Sequence, residues 1–320
     1  VVDGAVGSRP AARWLNRAAA ELWGLTVETT RTCFRYRVTG LAAEAGFFAL
    51  LSLPPLLLGL VGSIGYFQGI LGADVVADVQ NRIIELSRTV LSDKSVQETI
   101  VPTLQDVFRG GRFDLVSVGF VLALWSGSRA LNVYVDTITI MYGLSGRRGI
   151  IRTRLLSFTL YLVGLLLSIL VVPLVLAGPA LVDRTLPSSV EVLNALYWPV
   201  VVIVTVVFLT SLYHVAVPVR SPWWRDTPGA LLALVFWIGG SGVLRFVIQK
   251  SVGGPSIYGP LATPIVVLIW LYVLAIAVLI GAALNAAIDR RWPDNRMSDA
   301  REQPKEFADE NPLTPLDQPR

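Results

Sequence analysis

Residues Thr263–Ile288 read TPIVVLIWLYVLAIAVLIGAALNAAI, and no side chain in the run is charged. A helix of about 20 apolar residues covers the ~30 Å hydrocarbon core of a bilayer, so this stretch is long enough to cross one. It closes on Asp289, Arg290, Arg291, Trp292 and Pro293, a cationic and aromatic stop of the kind found at headgroup level. The chain is therefore expected to fold in oil, and composition agrees. Of 320 residues 53% are hydrophobic and 16% charged, with a mean hydropathy of +0.61, where a soluble domain carries about 25% charged residues.

Working outward, five more apolar runs stand at about 41–67, 115–134, 155–181, 193–217 and 228–248, with the sixth at 261–288. The expected fold is all-α: a polytopic bundle of six transmembrane helices in a membrane domain over 41–292. Proline removes a backbone donor and crowds the preceding turn, so Pro54, Pro55 and Pro173 are candidate helix breaks, with Ser52 placed to satisfy a carbonyl freed by the first two. Ahead of the bundle, residues 1–40 form a cytoplasmic or interfacial segment. Within it Trp14, Leu15, Leu22, Trp23, Leu25 and Val27 alternate with Arg13, Arg17, Glu21, Arg31, Arg35 and Arg37. This amphipathic helix either lies at a headgroup interface with its arginines on anionic lipid or packs on the bundle. Residues 69–113 mix charges with Val, Ile and Leu at helical spacing. They read as two helices, about 73–91 and 95–109, forming an extracytoplasmic cap. The tail over 293–320 lacks apolar periodicity and is expected to be disordered and cytoplasmic.

Arginines cluster before the first run, between the second and third, and between the fourth and fifth. The positive-inside rule then places both termini in the cytoplasm of a multi-pass bacterial plasma-membrane protein; lysine occurs only at 94, 250 and 305, an arginine bias that fits a GC-rich bacterial genome. The first forty residues hold no apolar core of signal-peptide type. The single Cys33 excludes an internal disulfide framework, and the single His214 excludes paired-histidine metal motifs. No G-x-x-x-x-G-K-[ST] loop is present, so direct ATP hydrolysis is unsupported. No metal, cofactor or catalytic residue is assigned.

Three stretches carry a resemblance. Leu41–Gly62, LAAEAGFFALLSLPPLLLGLVG, is similar to AAALAYYTLLSLAPLLL, and Leu124–Tyr142, LWSGSRALNVYVDTITIMY, is similar to WSASRAVDAL. Trp224–Ile288 holds PGALLALVFWIGGSGVLRFVI and then YGPLATPIVVLIWLYVLAIAVLIGAALNAAI, similar to a span opening on PGAL and one closing on GAELNAE. In this order they resemble the YihY/virulence factor BrkB family of bacterial inner-membrane proteins, over residues 10–292. Ala283 and Ala287 replace the two glutamates of that closing motif, and Glu44 stands where an apolar residue is common. The resemblance implies an envelope protein that handles lipids or lipid-linked molecules. The family has also carried a ribonuclease label, but one histidine and no acidic cluster near the spans do not supply the ligands of a two-metal phosphodiesterase.

Ionisable groups at bilayer depth are costly and mark functional sites. Glu44, Arg129, Asp136, His214 and Asn285 fall in one expected layer near the cytoplasmic end, with Glu44 and Arg129 as the natural ion pair. They form either a polar chamber in which Arg129 holds a phosphate or carboxylate headgroup or a set of pairs that stabilise helix contacts. Arg245, in the outer half of the fifth run, either snorkels to the outer headgroups or offers a second anion contact. Gly239-Gly240-Ser241-Gly242 beside it marks a close helix packing or a flexible break, and Ser126-Gly127-Ser128 marks a close crossing. The expected function is transport or flipping of lipids or lipid-linked molecules, not enzymatic. Its alternatives are a small-solute or ion transporter and a non-transporting scaffold for envelope machinery. The expected partners are membrane lipids, together with a second copy of the chain or an envelope protein, and no nucleic acid.

Overall fold

The computed structural model describes residues 10–66, 113–185, 191–219, 221–251 and 262–302, with isolated positions between 81 and 102. The described chain is helical, with no strand among the described residues. An amphipathic helix α1 (Pro10–Arg35) leads into α2 (Val38–Tyr66). Then come α3 (Phe113–Met141), α4 (Ile150–Thr185), α5 (Glu191–Ala216), a short 3-10 turn (Trp223–Asp226), α6 (Thr227–Ser251), α7 (Ala262–Arg291) and α8 (Asn295–Glu302). Five stretches, in α3 to α7, are long and apolar enough to cross a membrane; Val38–Pro54 of α2 is a shorter apolar helix. The expected cap helices at 73–91 and 95–109 lie outside the described residues, apart from those isolated positions.

Two expectations need correction. The helices run on through their prolines: α2 is continuous across Pro54 and Pro55, and α4 across Pro173. Proline deletes one donor each, while the hydrogen bonds on either side persist and hold the segment helical. Ser52 donates to Ala49 O at 2.7 Å rather than to a carbonyl freed by a proline. The tail is also ordered further than its composition implied. Residues Asn295–Glu302 form α8, with Met297 and Ala300 buried, and Arg301 ties it to Asp289 of α7 at 2.6 Å. Residues 303–320 lie outside the description.

Among the described residues the core sits toward one end of the bundle. Along α7, Ala275, Ala282, Ala283, Ala286 and Ala287 are buried, whereas Ile265, Ile269 and Trp270 near its start are exposed. Alanine and glycine remove side-chain bulk, so backbones approach closely. Gly229 of α6 meets Gly281 O and Asn285, and a Cβ on Gly281 would strike Gly229 O; the two helices cross backbone to backbone there. Gly127 likewise leaves room for the ring of Tyr161 on α4, the close crossing expected of its Ser-Gly-Ser context. In the 239–242 stretch α6 stays helical, and Gly240 faces Val273 while Gly239 and Gly242 face open space. The helix is unbroken there, and close packing accounts for Gly240 alone of the three glycines. Elsewhere α6 turns Val235, Ile238, Val243 and Phe246 outward, as a lipid-facing wall requires.

Candidate functional site

The five residues expected in one layer separate into two clusters. In the first, α2 supplies Glu44 and α3 supplies Arg129. Arg129 Nη2 donates to Glu44 Oε1 at 3.3 Å, and the side chains are 38% and 39% exposed. The guanidinium carbon also lies 5.4 Å from the centre of the Phe48 ring, a cation–π contact. Phe48 is held edge-on against Trp125 at 6.3 Å. Asp136, seven positions along α3 and so on the same face, is exposed and within electrostatic reach of both Arg129 and Glu44. Around the pair the surface is apolar, with Phe47, Leu51, Leu122 and Trp125 exposed. Arg129 stands twelve residues before Met141, about 18 Å at the helical rise. The cluster is therefore a small charged patch, open sideways, roughly midway along a membrane-length helix.

His214 and Asn285 belong to a second cluster whose centre, Asp226, sequence reasoning missed. Asp226 is 3% exposed. Tyr142 donates its hydroxyl to Asp226 Oδ1 at 3.2 Å, and His214 Nδ1 lies 3.4 Å from Oδ2. Asn285 donates through Nδ2 to the Asp226 carbonyl at 2.8 Å and accepts at Oδ1 from the Gly229 N–H at 2.7 Å. The first N–H groups of a helix have no partner inside it, so Asn285 caps α6 from a neighbouring helix, while the Asp226 carboxylate suits the positive end of the same helix dipole. Burial, with the charges of Asp226 and Asp289, pushes the Tyr142 hydroxyl well above its ordinary value, so it stays a donor. Arg301 joins from α8, donating to Tyr142 O at 3.1 Å. The signal for Asp226 was legible in WWRDTPG (223–229), an acid just ahead of Thr-Pro at a helix start.

The separation has a physical reason. His214 lies near the end of α5 and Asn285 near the end of α7, where both meet the start of α6. Glu44 and Arg129 instead face each other across the α2–α3 contact. The remaining predicted residue, Arg245, joins neither cluster. It is exposed in a shallow groove of about 340 Å3 with Ser241, Leu244, Val267 and Trp270. Among the described residues no group of three or more His, Cys, Asp or Glu is placed to hold a metal ion. Cys33 is partly buried, and burial pushes its thiol up.

The profile of the family described as virulence factor BrkB matches residues 31–306. The chain belongs to the BrkB family. A BrkB relative in Bacillus subtilis (strain 168), described as the ribonuclease-like protein YfkH, is 27% identical over 278 residues, covering 85% of this chain and 92% of that one. Another, the UPF0761 membrane protein Nmul_A0452 of Nitrosospira multiformis (strain ATCC 25196 / NCIMB 11849 / C 71), is 25% identical over 272 residues, covering 82% of this chain but 61% of that one. No solved structure matches. The family assignment and the apolar helices together make this a multi-pass membrane protein.

Proposed function

We propose that this BrkB-family chain resides in the bacterial plasma membrane with both termini cytoplasmic and moves lipids or lipid-linked molecules between leaflets. The observation that carries the proposal is the Arg129–Glu44 pair. A charged group at bilayer depth costs several kcal/mol unless it is paired or wet, and here the pair is partly exposed within an apolar wall. A guanidinium in that position exchanges Glu44 for the phosphate or carboxylate of a passing headgroup, while the acyl chains stay in lipid beside Phe47, Leu51 and Trp125. Glu44 keeps the arginine neutralised between passages, and Asp136 marks the route toward the end of α3.

A ribonuclease role, taken from the name of the YfkH relative, draws no support from the donor set: His214 is the only histidine, and among the described residues no group of three or more His, Cys, Asp or Glu is placed to hold a metal ion.

The test is leaflet exchange of fluorescent phosphatidylglycerol and a fluorescent glycolipid in vesicles holding the purified chain, read by reduction of the outer-leaflet dye. The wild type accelerates exchange of at least one lipid. Arg129→Ala slows it about tenfold, the loss expected for one charge-assisted hydrogen bond. No exchange across both lipids by a folded wild type overturns the proposal.

A further inference from the structure

The face of α1 turned away from the bundle is built for an anionic membrane surface. α1 is docked by its other side: Glu28 pairs with Arg290 at 3.0 Å and Glu21 with Arg291 at 2.6 Å, while Thr29 and Thr32 are buried. At 100° per residue, Trp23, Val27 and Phe34 then fall together on the outward face, and Trp23 and Phe34 are 71% and 80% exposed. Arg17, Arg31 and Arg35 fall along one edge of the same face and are exposed. No carboxylate among the described residues pairs with Arg31 or Arg35. Glu28, three residues before Arg31 in the chain, is already matched by Arg290.

Between that edge and the end of α7 runs an open groove of about 500 Å3, lined among others by Trp23, Val27, Glu28, Arg31, Arg35 and Arg290. Three guanidiniums against one carboxylate leave the groove positive. Its apolar lip is of the wrong kind for a free inorganic anion and of the right kind for a headgroup whose acyl chains continue past it. α1 also leads within three residues into the apolar α2, so the groove lies at the level where hydrocarbon gives way to water.

We propose that the α1 groove binds anionic phospholipid headgroups of the adjacent leaflet, with Arg31 and Arg35 on the phosphate and Trp23 and Val27 against the glycerol and upper acyl chain. Docking at α1 stands independently of lipid movement past Arg129. The partner is lipid rather than protein because cationic and aromatic groups interleave on one face next to a membrane-length helix, the pattern of an interfacial anchor.

The experiment titrates dioleoylphosphatidylglycerol against dioleoylphosphatidylcholine into the full chain in mild detergent and counts bound lipid by native mass spectrometry, with melting temperature as a second readout. The wild type binds phosphatidylglycerol in preference and melts higher in its presence. Arg31→Gln with Arg35→Gln lowers that affinity about twenty-five-fold, since each arginine near an anionic surface contributes a factor of about five. Arg31→Lys with Arg35→Lys keeps most of it, and Arg152→Gln, an exposed arginine of α4, changes nothing. Inorganic phosphate at millimolar concentration does not displace the lipid. Equal binding of both lipids, an unchanged affinity in a folded Gln variant, an equal loss with Arg152→Gln, or displacement by free phosphate each overturns the proposal.

Discussion

Asn285 shows how much one side chain does when water is absent. It satisfies a helix N-terminus with one atom and the preceding carbonyl with another, and it sits against Gly229 where no Cβ fits. Asn285→Ala leaves a buried donor and a buried acceptor without partners, at about 1–3 kcal/mol for each. The expected result is a fall in melting temperature in detergent with Arg129-dependent lipid exchange otherwise intact; an unchanged melting temperature would mean that water takes over both bonds. Arginines work in a similar way. Arg148 donates to the carbonyls of Val215, Ala216 and Val217 at 3.1, 2.9 and 3.1 Å, closing the end of α5 where the last carbonyls have no helical partner. From the sequence Arg148 was legible as a charge between two spans and Asn285 as a polar group near the end of one. Their bonding was not, because the partners are remote along the chain: Tyr142 and Asp226 are 84 residues apart, and Arg290 and Glu28 are 262 apart.

At the level of helices, hydropathy carried most of the information. The runs expected at 193–217 and 228–248 appear as Glu191–Ala216 and Thr227–Ser251, because a stretch that must bury every backbone group in lipid has little alternative to a helix. α1 was the harder element, since amphipathicity does not say which neighbour covers the polar side. The structure resolves this by docking the Glu21–Glu28 side on α7 and leaving the aromatic side outward. Glu28→Arg should loosen that docking by about 1 kcal/mol, the worth of a partly exposed ion pair. Cys33 offers a direct gauge. It is the single cysteine, lies on α1 and packs against the core. Maleimide labelling of Cys33 is expected to run about fivefold faster in Glu28→Arg, the equivalent of that energy, and to return toward the wild-type rate when Arg290→Glu is added. If the double variant labels as fast as the single one, the pair is not what holds α1.

At the scale of the whole molecule, the polar bonding among the described residues gathers at one end. α1 reaches Arg290 and Arg291, α8 reaches Asp289, and the Asp226 cluster lies beside them. Both ends of the described chain thus meet the bundle on one side. In inverted or spheroplast membranes, tags fused before residue 10 and after residue 302 are expected to be cleaved only from the cytoplasmic side; cleavage from opposite sides would remove both the topology and the leaflet assignment. The Gly229–Gly281 crossing then acquires a mechanical meaning. It fastens α6 to α7 near the start of one and the finish of the other, and Gly240 against Val273 carries the contact eleven residues further along α6. Eleven residues are about 16 Å at the helical rise, so the two helices are pinned to each other at two heights rather than one. A pair pinned twice along its length resists hinging about either point, so α6 and α7 are expected to shift as one rigid unit against their neighbours.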